Sequence, residues 1–174
     1  MAMQMLAAAG VPIVSDGLRE PGEDNPRGFL EDSRVKALHK EGETGEWLAE
    51  AKGSAIKIIS FLLKYLPAEN DYMVIFMRRD LTEILSSQRK MLERRDEKGD
   101  TDDERLYEIW RTHLQEVDRL LEGSTHISSL DVGYRDVIEN AREQAQRIQD
   151  FLGMKLDVDA MACAVDGGLY RNRA

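Results

Sequence analysis

Residues 73–92 read MVIFMRRDLTEILSSQRKML, and the fold turns on how this stretch divides. An apolar run halts at Arg78, Arg79 and Asp80, after which apolar residues return at helical spacing. Residues 72–77, YMVIFM, lack polar alternation, the pattern of a strand covered on both faces as in a parallel sheet. Beyond it Leu81, Ile84, Leu85, Gln88 and Leu92 trace one side of a helix, because residues three and four apart stack along its turns. Asp80 is placed to cap that helix, with Glu83 completing a box-like arrangement.

Working outward, MQMLAAAG predicts a helix ending at Gly10, followed by a short β-prone VPIVS. Residues 16–28, DGLREPGEDNPRG, form a polar loop rich in turn residues. Helical pieces are predicted over 30–39 and 46–51, and AIKIIS at 55–60 has the β-branched content of a buried strand. Residues 101–123 predict a helix opened by a Thr101/Glu104 capping box and closed by Gly123, with Leu106, Ile109, Val117, Leu120 and Leu121 inward. HISSLDV at 126–132 reads as a last strand. Residues 135–153 read as one long helix capped by Gly153, with Val137, Ile138, Ala141, Ala145, Ile148 and Leu152 inward. Non-alternating strands separated by helices define an α/β class, a mostly parallel sheet flanked by helices in three layers. No Pro/Gly/Ser linker divides the chain, so residues 1–174 read as a single domain.

Bulk properties narrow the function. The chain has 174 residues, 42% hydrophobic and 33% charged, with a net charge of −9. That balance argues against a nucleic-acid or anionic membrane surface, which calls for a basic face. Cys163 is the single cysteine, and His39, His113 and His126 are widely spaced, so neither a disulfide framework nor a metal site is predicted. A reducing, cytoplasmic setting fits. No apolar run reaches the roughly 20 residues needed to span a bilayer. Trp47, Trp110 and the methionines read as packing groups.

In open parallel sheets ligands bind beyond the carboxyl ends of the strands. Arg79 stands at such an end, and Ser87 lies about two helical turns past Asp80 on nearly the same face. A forked, permanent cation and a hydroxyl so arranged can grip one phosphate. Arg78 points to the opposite side of the strand. The plainer alternative is a strand-end arginine paired with a nearby carboxylate and a solvated serine.

The run from Arg79 through Asp80, Leu81 and Glu83 to Ser87 resembles the 3′-phosphate segment of sulfotransferases that use 3′-phosphoadenosine-5′-phosphosulfate (PAPS). Their pattern is Arg-Asn-Pro-x-Asp-x-x-x-Ser, so Asp80 and Leu81 depart from the Asn and Pro. EDNPRGFLE at 23–31 is similar to the Asn-x-x-Gly-aromatic-x-Glu segment of bacterial members, and GYRDVIEN with IQDFLG resembles the late strand exit and helix end. The resemblance implies a P-loop NTPase-like fold, PAPS or its bisphosphate product as co-substrate, no metal, and a small-molecule acceptor carrying a hydroxyl or amine. Carbohydrate, lipid, phenol and peptide acceptors all remain compatible.

Two departures qualify that expectation. The glycine-rich loop that holds the 5′-phosphosulfate in the family, with the strand before it, has no counterpart, so the resemblance implies an N-terminally incomplete domain, inactive or nearly so by itself. The histidine that many eukaryotic members place after a Lys-ended strand is also missing: Lys57 is kept, but Ile59 and Ser60 stand where a histidine would be sought. Lys57, as a stabiliser of sulfuryl charge, and Glu31, as a base, are the remaining candidates, each with a plain alternative as a snorkelling lysine and a solubilising glutamate. In the tail GLYRNRA, Tyr170, Arg171 and Arg173 either close over the nucleotide or form a basic tail. A non-catalytic nucleotide-binding or protein-interaction module is the alternative function, and a phosphotransferase a weaker third.

Overall fold

The computed structural model describes residues 1–18, 28, 30–40, 44–94 and 103–169, with the backbone alone at 87, 88, 90–94, 103 and 169. Helix α1 (Ala2–Ala8) ends where Gly10 takes a φ of 82°, a left-handed conformation that glycine adopts without a Cβ penalty. Asp32 caps a 3₁₀ turn over Ser33–Ala37, α2 is the short helix Trp47–Glu50, and a second 3₁₀ helix spans Ser60–Tyr65. Strand β1 (Tyr72–Arg78) leads into α3 (Leu81–Arg94), then α4 (Asp103–Gly123) and strand β2 (Ile127–Gly133). Helices α5 (Tyr134–Glu139), α6 (Ala141–Leu152) and α7 (Val158–Cys163) follow.

β1 and β2 pair in parallel, from Tyr72 opposite Ile127 to Arg78 opposite Gly133. Alternate side chains enter two cores. Tyr72, Val74 and Phe76 pack with Leu62, Leu63, Val117, Leu121 and Ile127, while Ile75 and Met77 pack with Met5, Val132, Val137, Ile148 and Met161. Both faces of β1 are therefore in contact with apolar side chains, as its lack of alternation predicts. The strand nevertheless stays partly accessible along its length, because among the described residues it pairs with β2 alone.

Three expectations are corrected. Residues 55–60 do not form a regular strand: Ala55 makes an isolated parallel bridge to Ile13, and the chain turns into the 3₁₀ helix at Ser60. A ladder needs a partner along its length, and Ile13 supplies one rung. The sheet is accordingly a two-stranded parallel pair among the described residues. In α4, Ile109 is exposed, and the inward side runs through Leu106, Trp110, His113, Val117 and Leu121. The long C-terminal helix divides at Asn140, whose φ of −136° and ψ of 50° leave the helical region and separate α5 from α6. Gly153, with φ 63°, caps α6 as expected. Thr101 of the proposed capping box lies outside the described residues.

Ile148 is fully buried whereas Ile109 is about half exposed. Urea unfolding is expected to show Ile148→Ala losing about 2–5 kcal/mol and Ile109→Ala losing less than about 0.5 kcal/mol.

Candidate functional site

The register of the two strands brings their exits together. Arg79 follows β1, Tyr134 follows β2, and the Arg79 guanidinium carbon lies 4.9 Å from the centre of the Tyr134 ring. The Arg79 Nε donates to Glu83 Oε2 at 3.2 Å, one turn into α3. Burial raises the Tyr134 phenol above its ordinary range, opposed by the charge of Arg79 and reinforced by Glu83. A side chain at Gly133 would displace the Asp136 carboxylate, whose Cγ lies 2.9 Å from where a Cβ would stand.

Arg78 is directed elsewhere. Its guanidinium pairs with Asp118 on α4 and with Asp131 on β2 at 3.1 Å, and lies 4.3 Å from the centre of the Phe76 ring. Adjacent strand residues project to opposite faces, which separates the two arginines. Asp80 caps α3: its Oδ1 accepts from Thr82 N at 2.8 Å and Glu83 N at 3.4 Å, and also from the Thr82 hydroxyl. These bonds, the Thr82 hydroxyl foremost, lower the Asp80 pKa. The Glu83 carboxylate serves Arg79. The backbone of α3 carries Ser87 two turns on, while its side chain lies outside the described residues, as do Tyr170, Arg171 and Arg173.

A cavity of about 980 Å³ runs beside β1, and its lining includes residues 72–77, Arg79, Tyr134, residues 54–58 and Ser60. Lys57 Nζ bonds Glu31 Oε1 at 2.7 Å, so the two catalytic candidates form one ion pair. The pair stands next to Leu30, whose φ of 44° is unusual for a non-glycine residue. Among the described residues no three His, Cys, Asp or Glu side chains converge as a metal site, and no helix is long and apolar enough to cross a membrane.

Two groups at this cavity were not legible as site residues. Ser60 Oγ lies 2.8 Å from His113 Nε2, a contact between residues far apart in the chain. Spacing along α4 could have put His113 on the buried side, but not opposite Ser60. Tyr134 was visible only as part of the GYRD run, because its neighbour Arg79 is set by strand register.

Arg79 thus stands just past the end of a parallel strand and lines a cavity, the region where ligands bind in open parallel sheets. The sulfotransferase family model matches residues 23–158, most of the chain. The chain belongs to the sulfotransferase family, whose chemistry is the transfer of a sulfuryl group. No curated protein and no solved structure gives a match.

Asp80→Ala is expected to cost about 1 kcal/mol at pH 7 through loss of the α3 cap. Because the folded-state pKa of Asp80 is lowered from 3.8, its stabilisation is present above that value and disappears as pH falls through the folded pKa. Wild type and variant should therefore converge in acid, as thermal unfolding across pH would report.

Proposed function

We propose that this protein binds PAPS and transfers its sulfuryl group to a small-molecule hydroxyl or amine, with Arg79 and Ser87 gripping the 3′-phosphate. The observation that carries the reading is the position of Arg79. It follows β1 immediately and lines the cavity, while Arg78 is engaged by Asp118 and Asp131. Glu83 and Tyr134 hold the guanidinium from two directions. A guanidinium carries five N–H donors in a planar fork, matched to phosphate oxygens. Glu83 also makes binding an exchange of partners, since an arriving phosphate meets a carboxylate already bonded to Nε.

The P-loop NTPase-like three-layer sheet belongs to the same proposal. Its support is the alternation of β1 side chains between two cores and the parallel sense of both the β1–β2 pair and the Ile13–Ala55 bridge. Tyr170, Arg171 and Arg173 are proposed as further nucleotide contacts on the family resemblance alone.

One observation favours a second reading, a nucleotide-binding module without transfer: Lys57 and Glu31 neutralise each other. Calorimetry with the adenosine bisphosphate product tests what the two readings share. Arg79→Ala is expected to weaken binding about 10- to 100-fold, the worth of a hydrogen bond to a charged group. Binding unchanged in the double variant Arg79→Ala, Ser87→Ala would overturn both. Transfer of labelled sulfate to an acceptor panel separates them.

A further inference from the structure

We propose that Ser60 and His113 form the proton-accepting pair of this site, His113 as the base and Ser60 as the hydroxyl that relays the acceptor's proton to it. The inference rests on the sulfotransferase reading above for its substrate. Its chemistry rests on the pair itself.

Ser60 opens the 3₁₀ helix at the end of the extended segment that carries Lys57, and it lines the same cavity as Arg79. Its hydroxyl meets His113 Nε2 at 2.8 Å, while the N-cap of that short helix is Ile59. The imidazole is held in one orientation. Phe61 stacks on it with ring centres 3.6 Å apart and planes 9° apart, and Trp110 meets it edge-on with centres 5.9 Å apart. The ring is 8% exposed, so it reaches the cavity through Ser60 rather than directly.

The protonation state suits a base. Burial lowers the His113 pKa below 6.5, with Lys64 from the 3₁₀ helix acting in the same direction and Glu116 on α4 opposing. At pH 7 the ring is neutral, with one nitrogen able to accept a proton. With Nε2 as that nitrogen, the Ser60 hydroxyl donates to it. The acceptor hydroxyl then attacks the donor's sulfur. A new O–S bond forms, and the S–O bond to the phosphate breaks with its electron pair on the phosphate oxygen. The acceptor's proton moves to Ser60 Oγ as the Ser60 proton moves to His113 Nε2. The imidazolium afterwards returns its proton to water.

A serine polarised in this way reacts with sulfur(VI) electrophiles, which gives a test independent of nucleotide and of turnover. The full chain is treated with phenylmethanesulfonyl fluoride and the adduct located by peptide mass spectrometry. Modification of Ser60 is expected, at a rate that falls as pH drops through a histidine pKa below 6.5. His113→Gln should lower that rate about 10²-fold. An absent Ser60 adduct, or an equal rate in His113→Gln, would overturn the proposal. Should that variant fail to fold, the pH dependence of Ser60 labelling in the unaltered chain decides, because a rate with no inflection in the histidine range overturns the proposal as well. Bisphosphate calorimetry keeps the two readings apart. Lost nucleotide binding with intact Ser60 labelling would overturn the PAPS assignment and leave the pair standing, whereas intact binding without labelling would overturn the pair.

Discussion

β1 and β2 run parallel and in register to their last residues, Arg78 opposite Gly133, so both strands turn into helices at the same edge of the sheet. The proposed grip on the nucleotide depends on that coincidence. It brings Arg79 and Tyr134 together from distant parts of the chain and lets α3 return Glu83 to the same guanidinium. A slip of one residue would exchange the faces of every side chain on the slipped strand. Val132 and Ile127 would leave their separate cores, and Arg79 would lose its aromatic neighbour. The register is therefore held by the same apolar burial that stabilises the domain.

The consecutive arginines show how one strand end divides two tasks. Arg78 is tied to carboxylates on α4 and β2, joining the sheet to the helix that covers it. Arg79 lines the cavity, with a glutamate that helps to hold it. The Lys57–Glu31 pair is more exposed than the Arg79–Glu83 pair, and exposed pairs contribute roughly 0–1 kcal/mol. Its effect on the site is consequently one of local charge more than of stability.

Ser60 and His113 illustrate a different route to a functional contact. The histidine occupies the buried side of α4, where an apolar residue would ordinarily stand, and it bonds a serine at the cavity wall. A buried imidazole without a partner would be costly. Ser60 relieves that cost while linking the interior to the cavity, so stability and reactivity arise from one contact.

Local patterns in the amino-acid sequence were enough to specify β1, α3 with its Asp80 cap, β2 and the Gly153 cap, because runs, periods and turn residues act over a few positions. Side-chain alternation also placed the two strand-end arginines on opposite faces, and the spacing to Ser87 singled out Arg79 as the one to examine. The breaks and the pairings were decided by tertiary structure. Residues 55–60 have strand composition but one bridge, since pairing needs a neighbouring backbone that composition does not supply. Ile109, expected inward, is exposed while His113 is buried, because the packing surface opposite α4, formed by the Ser60–Tyr65 turn, selects the buried side. The meeting of Lys57 with Glu31, of Arg79 with Tyr134 and of Ser60 with His113 required the folded chain, because each joins residues that only strand register and helix packing bring within bonding distance.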